Sequence, residues 1–135
     1  MRKKLECILL VDDDHEDCFF HQIVIKKMNI TNSIEVARNG LEALDFLKKE
    51  DAITPELIFL DINMPKMNGW EFLEHYKHLD PKQKARITIL MLTTSVNPDD
   101  ARKAQEMEDV TGYKTKPLSA DMLNEILENH FPDYL

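Results

Sequence analysis

The chain has 135 residues, of which 43% are hydrophobic and 31% are charged, and its formal net charge is -8 at pH 7. This composition is typical of one folded domain and argues against a disordered chain, and the acidic balance disfavours binding to nucleic acid or to a membrane surface. No apolar run approaches the ~18 residues of a membrane span, and the basic N-terminus lacks the apolar core of a signal peptide. We therefore expect one cytoplasmic domain over residues 1–135, with its core at about residues 7–129 and no output domain.

Five apolar runs alternate with five segments whose apolar residues recur at helical spacing. The expected strands are Cys7–Val11, Ile34–Ala37, Leu57–Leu60, Ile87–Leu92 and Val110–Thr115. The expected helices are His15–Met28, Leu41–Lys49, Trp70–His78, a helix that starts near Asn97-Pro98, and one that starts near Ser119 and ends near Asn129.

This alternation predicts an α/β fold: a five-stranded parallel sheet with helices on both faces and right-handed crossovers. In the first helix, the spacing predicts that Phe19, Phe20, Ile23 and Val24 form the inward face. One carboxylate of the run Asp12–Asp14 is expected to cap that helix at its N-terminus.

Polar side chains follow four of the five predicted strands. Asp12–Asp14 follow the first strand, Asp61 the third, Thr93 and Thr94 the fourth, and Lys116 the fifth. Because parallel neighbours end at one edge of a sheet, these groups are expected to lie together. Clustered carboxylates repel unless a cation neutralises them, and Mg²⁺ prefers such oxygen ligands. With an ammonium and a hydroxyl nearby, the set is suited to a phosphoryl group, and an aspartate can accept one covalently.

Each of these residues also has an ordinary explanation. The acidic run can serve only to cap a helix, and Asp61 can be a turn residue. Thr93 and Thr94 can form local hydrogen bonds, and Lys116 can be a surface lysine. However, each of the four groups follows a different predicted strand. This shared position favours a phosphoryl site over four separate explanations.

The motifs at these positions resemble those of a known family. An acidic pair, Asp12-Asp13, follows an apolar strand; Asp61 is followed by Met64-Pro65 and Gly69; and Gly112-Tyr113 leads to Lys116-Pro117. In this combination the chain resembles the receiver domain of two-component response regulators, from about residue 7 to residue 129. The resemblance implies a flavodoxin-like fold with strand order 2-1-3-4-5.

The resemblance also implies a role for each acid. Asp61 would be the phosphoacceptor and a ligand of Mg²⁺. Asp13 would bind Mg²⁺ directly, and Asp12 would bind it through a water molecule. The backbone carbonyl of Asn63 would complete the set of protein ligands.

The remaining motif residues would act on the phosphoryl group. The Thr93 hydroxyl, the backbone N–H of Thr94 and the Lys116 ammonium would contact its oxygens. Thr93 and Tyr113 would form the conformational switch. The peptide bond between Lys116 and Pro117 would be cis.

The implied function is phosphorelay signalling. The protein would accept a phosphoryl group from a histidine kinase or a histidine phosphotransfer protein in a Mg²⁺-dependent reaction, and would then signal to an unknown protein target. It would not be an enzyme beyond its own phosphorylation and dephosphorylation, and it would be a monomer or weak homodimer without nucleic-acid or membrane partners.

Two other functions compete with phosphorelay signalling. The first is an enzyme, a phosphatase or phosphotransferase with an aspartate nucleophile. It is disfavoured because Asn63 occupies the second acid position of the D-x-D motif expected of the haloacid-dehalogenase class. A degenerate receiver that serves as a phosphorylation-independent interaction module would be expected to lack one of the acids or the lysine, and this chain keeps them all.

Two further segments bear on the partner. Leu92-Thr93-Thr94-Ser95, together with the long segment from His78 to Arg86, resembles the stand-alone regulators that are partnered with phytochrome-type kinases. Thr94 also stands where the family usually has Ala or Gly.

Overall fold

A computed structural model of the protein describes residues 4–49, 53–84, 87–94 and 97–134, without the side chains of residues 82, 83 and 134. Arg86 and Ser95, which belong to the two segments compared above with phytochrome-partnered regulators, lie outside these ranges. Among the described residues, no helix has the length and hydrophobicity needed to cross a membrane.

The predicted sheet is confirmed. Its strands are β1 (Ile8–Val11), β2 (Ile34–Ala37), β3 (Leu57–Leu60), β4 (Thr88–Thr93) and β5 (Val110–Thr115). Every neighbouring pair is parallel, and the strand order is β2-β1-β3-β4-β5. All four residues of β1 and of β3 are buried, as expected of continuous apolar strands covered on both faces.

Five main helices connect or follow the strands: α1 (His15–Met28), α2 (Gly40–Lys48), α3 (Gly69–Tyr76), α5 (Pro98–Glu106) and α6 (Ala120–His130). A short helix, α4 (Pro81–Lys84), precedes β4. Each main helix begins at a residue whose side chain accepts a hydrogen bond from a backbone N–H of the first turn. These capping residues are Asp14, Asn39, Asn68, Asn97 and Ser119.

The sheet separates two hydrophobic cores, because successive side chains of a strand point to opposite faces. On one face, α2, α3 and α5 pack against a core that includes Leu9, Val11, Ile58, Leu60 and Met91. On the other face, α1 and α6 pack against a core that includes Ile8, Leu10, Leu57, Phe59 and Leu92. Helices therefore cover both faces, as predicted.

The predicted inward face of α1 is wrong for three of its four residues. Phe19 is 68% exposed, Phe20 48% and Ile23 37%, whereas Val24 is half-buried and packs against the core that α1 and α6 cover. The buried residues are instead Cys18, His21 and Ile25. On this buried side the Cys18 Sγ contacts the Asp12 carbonyl, and the His21 Nε2 accepts a hydrogen bond from the Leu118 N–H.

Candidate functional site

The sheet brings the predicted residues to one edge. The backbone N–H of Asp61 donates to the Val11 carbonyl at 2.9 Å, and the N–H of Lys116 donates to the Thr93 carbonyl at 2.8 Å. These bonds extend the strand pairing by one residue past β3 and past β5. Asp12, Asp61 and Lys116 are therefore placed by regular β structure, so their positions follow from the sheet register.

The loop after Asp61 is held close to the strand end. The Gly69 N–H donates to the Ile62 carbonyl at 2.8 Å. A Cβ atom at residue 69 would lie 2.5 Å from the Asp61 carbonyl oxygen, which is too close for any other residue without movement of the backbone. Glycine at this position lets the N-terminus of α3 approach the backbone of the candidate acceptor.

The two carboxylate oxygens of Asp61 have different surroundings. Oδ1 accepts a hydrogen bond from the Ile62 N–H at 2.8 Å, and Oδ2 lies 3.7 Å from the Lys116 Nζ. Burial raises the pKa of Asp61 to about 6; Lys116 and the Ile62 N–H oppose that rise, and Asp12 and Asp13 add to it. The Asp61 carboxylate is therefore poorly solvated, and it lies close to the Lys116 ammonium, which could also contact a phosphoryl group on Asp61.

Three carboxylates form a group that fits a metal ion. Asp12, Asp13 and Asp61 each offer one oxygen, and these oxygens lie within 4.8 Å of one another. Asp12 and Asp61 are buried, whereas Asp13 is exposed. Hard oxygen donors with one side open to water suit Mg²⁺, which keeps part of its water shell when it binds to proteins.

The oxygens of Asp12 already have protein partners. Oδ1 accepts a hydrogen bond from the Asp14 N–H at 3.0 Å, and Oδ2 lies 2.6 Å from the Lys116 Nζ. Asp12 is therefore held by protein neighbours, whereas Asp13 is exposed to solvent.

Lys116 is the cation of the site, and its side chain is 7% exposed. Its Nζ lies 2.6 Å from Asp12 and 2.7 Å from Asp17. Burial alone lowers the pKa of Lys116, but its hydrogen bonds to Asp12 and Asp17 outweigh burial and hold the pKa well above its ordinary value. Lys116 is therefore charged, and it is not a surface lysine.

Asp17 is a site residue that was not predicted from the sequence. It lies in the first turn of α1, three residues after the capping residue Asp14, and it contacts a lysine 99 residues away. The acidic spacing at positions 14 and 17 was the only local signal of a second carboxylate on this side of the helix.

The Thr93 side chain is fully buried, and its hydroxyl has no hydrogen-bond partner within the described part of the chain. Thr94 and Asn63 are exposed, and Tyr113 on β5 is half-buried against the core that α2, α3 and α5 cover. The peptide bond between Lys116 and Pro117 is cis. The backbone hydrogen bond from the Lys116 N–H to the Thr93 carbonyl places these two residues beside each other.

Replacement of Asp61 by Asn is expected to stabilise the metal-free protein at neutral pH. The pKa of Asp61 rises from 3.8 to about 6 on folding, so the folded protein binds this proton more tightly than the unfolded chain and loses stability as the pH rises through that interval. Asparagine does not ionise, so it removes this pH-dependent loss. The resulting gain in the free energy of unfolding should be small near pH 4 and about 1–3 kcal/mol above pH 7. Urea unfolding in EDTA across this pH range measures the gain. A gain that does not change with pH would contradict a raised pKa of Asp61 in the folded protein.

Comparison with known proteins identifies response regulators as similar in sequence and in structure. The family model described as "Response regulator receiver domain" matches residues 8–128. Response regulator Rcp1 of Synechocystis is 40% identical over 113 residues, which cover 81% of this chain and 75% of Rcp1. The Mn²⁺-bound form of Rcp1 has a TM-score of 0.76 at 34% identity and covers 96% of each chain.

Two further solved structures are similar. A two-component response regulator from Cytophaga hutchinsonii has a TM-score of 0.85 at 31% identity and covers 94% of this chain and 97% of its own. The phosphorylated cyanobacterial phytochrome response regulator RcpA has a TM-score of 0.75 at 32% identity and covers 96% of this chain and 93% of its own. With the fold, the acidic group and the buried lysine, these matches establish that the chain belongs to the receiver-domain family of two-component response regulators.

Proposed function

We propose that this protein accepts a phosphoryl group on Asp61 in a Mg²⁺-dependent reaction and signals through the resulting change of its surface. One observation carries the proposal: the buried Asp61 carboxylate lies 3.7 Å from the Lys116 ammonium, and one of its oxygens lies within 4.8 Å of oxygens of two further carboxylates. A divalent cation and the ammonium would then flank one nucleophilic oxygen, which suits phosphoryl transfer.

Receiver domains act in two-component phosphorelays, bind a divalent metal at an acidic pocket, and interact with histidine kinases or phosphotransfer proteins. Here the exposed Asp13 would bind Mg²⁺ directly, and Asp12, which already pairs with Lys116 at 2.6 Å, would act through a water molecule. Asp61 and the backbone carbonyl of Asn63 would complete the protein ligands. The metal would supply positive charge beside the transferred group.

In the proposed transfer, a carboxylate oxygen of Asp61 attacks the phosphorus atom of the donor. A new O–P bond forms as the bond from phosphorus to the donor breaks, and the leaving group retains the electron pair. Lys116 and the backbone N–H of Thr94 then hold phosphoryl oxygens, which accumulate charge in the transition state.

Thr93 supports the conformational part of the proposal. A buried hydroxyl without a partner costs about 1–3 kcal/mol, and a phosphoryl oxygen on Asp61 would satisfy it. Movement of Thr93 toward that oxygen would leave space that the half-buried Tyr113 could enter. A protein target that prefers this arrangement would shift the equilibrium by its difference in affinity between the two states.

We further propose that residues 8–128 act as one receiver domain in the cytoplasm, where two unpaired buried thiols, Cys7 and Cys18, would stay reduced. The donor would be a histidine kinase or a phosphotransfer protein. The similarity to RcpA, which is a phytochrome response regulator, favours a phytochrome-type kinase.

Incubation with acetyl phosphate tests the proposed function. We expect a mass gain of one phosphoryl group when Mg²⁺ is present and none in EDTA, because the carboxylates need a cation before an anionic donor can approach. The gain should be lost in hydroxylamine, which cleaves acyl phosphates. Intact-protein mass spectrometry measures both, and a Mg²⁺-loaded protein that gains no mass would contradict the proposal.

A further inference from the structure

We infer that Asp17 is a positioning residue: its carboxylate holds Lys116 beside the phosphoryl acceptor and keeps the ammonium from pairing directly with it. This inference rests on the proposed function, and it assigns a role to a carboxylate outside the acids and the lysine that carry the family resemblance. It starts from the geometry around one nitrogen atom.

The Lys116 Nζ lies 2.6 Å from Asp12 Oδ2, 2.7 Å from Asp17 Oδ2 and 3.7 Å from Asp61 Oδ2. An ammonium has three N–H donors. Two of them are used at hydrogen-bond distance by Asp12 and Asp17, while the distance to Asp61 is beyond that of a hydrogen bond. The third donor is therefore left for an oxygen atom that arrives on Asp61.

The position of Asp17 is itself fixed by α1. The Asp14 side chain caps this helix and accepts hydrogen bonds from the N–H groups of Glu16 and Asp17. One helical turn further on, the His21 Nε2 accepts a hydrogen bond from the Leu118 N–H at 3.3 Å. Two residues on one side of α1 thus hold the segment after β5, one through the Lys116 side chain and one through the Leu118 backbone.

The position of the Lys116 ammonium affects both the binding of Mg²⁺ and the transfer of a phosphoryl group to Asp61. Without Asp17, the ammonium would be left with Asp12 and Asp61 as its carboxylate partners, and these are two of the three acids that would bind the metal. It would then compete with Mg²⁺ for their oxygens and would occupy the oxygen of Asp61 that must attack phosphorus. Asp17 therefore favours Mg²⁺ binding and phosphoryl transfer, because it draws the Lys116 ammonium toward α1. Its effect depends on where it holds the ammonium as well as on its own charge.

The test compares Asp17→Asn with Glu16→Gln. Glu16 is an exposed acid in the same turn of α1, so its replacement removes the same charge from nearly the same place without touching Lys116. We expect Asp17→Asn to weaken Mg²⁺ binding, measured by calorimetry without any phosphodonor, about fivefold more than Glu16→Gln does. At saturating Mg²⁺ it should also slow phosphorylation by acetyl phosphate about tenfold.

A second comparison separates positioning from a merely structural effect. In a Lys116→Met background, Asp17→Asn should lower the Mg²⁺ affinity no more than Glu16→Gln does, because the lysine that Asp17 holds is gone. Equal effects of the two changes in the wild-type background would overturn the inference, and so would faster phosphorylation of Asp17→Asn. Failure of the wild-type protein to gain a phosphoryl group would instead overturn the proposed function, whatever the Mg²⁺ titrations give.

Discussion

Replacement of Asp61 by Asn is expected to reduce phosphorylation by acetyl phosphate at least about 100-fold, because an amide lacks the nucleophilic carboxylate oxygen. Asn has nearly the same size and shape, and its side-chain oxygen can still accept the hydrogen bond from the Ile62 N–H that Asp61 Oδ1 accepts. The loss would therefore report on chemistry and not on misfolding. Initial rates of mass gain at saturating Mg²⁺ measure the effect.

Asp45→Asn is the matched control for this experiment. Asp45 is an exposed acid on α2, so the same chemical change is made away from the site. Its phosphorylation rate should stay close to that of the wild-type protein. A mass gain that persists in Asp61→Asn, or that falls equally in both variants, would contradict the assignment of the acceptor.

Replacement of Lys116 by Met is expected to lower the free energy of unfolding in EDTA by about 2–4 kcal/mol, because removal of one partner leaves the other charges buried and unpaired. The Lys116 ammonium lies 2.6 Å from Asp12 and 2.7 Å from Asp17, and its side chain is 7% exposed. The carboxylates that remain would repel one another. Urea unfolding followed by circular dichroism measures the loss.

Mg²⁺ should restore more stability to Lys116→Met than to the wild-type protein, since the competing cation has been removed and a ligand stabilises the state it binds. Lys114→Met is the control, because Lys114 pairs with Glu125 at 3.2 Å in a more exposed ion pair. Such pairs contribute about 0–1 kcal/mol. A Lys116→Met variant no less stable than Lys114→Met would show that the buried lysine does not hold the carboxylates together.

The sheet and the residues at its edge could be predicted because both follow from local sequence. Strands buried on both faces, such as β1 and β3, are continuous apolar runs, and parallel strands bring the residues that follow them to one edge. The alternation of strands and helices predicted that Asp61 and Lys116 lie at one edge of a parallel sheet. The order of the strands across that sheet was implied by the resemblance to the receiver family and did not follow from local sequence.

The orientation of α1 could not be predicted in the same way. Periodicity favoured Phe19 and Phe20 as buried residues, yet the helix buries His21, whose partner is the N–H of Leu118. Asp17 was missed for the same reason, because its partner, Lys116, is 99 residues away. Contacts between a helix and a segment so distant in the chain leave no mark on local spacing.

Loss of phosphorylation in Asp61→Asn would not by itself locate the phosphoryl group, since Asp61 is also a proposed metal ligand. Reduction of the phosphorylated protein with borohydride locates it directly, because an aspartyl phosphate is converted to homoserine. Tandem mass spectrometry of the tryptic peptide spanning residues 50–66 should then find homoserine at position 61. Homoserine at another aspartate, or a phosphoryl group retained on a histidine, would contradict the central claim that Asp61 is the acceptor.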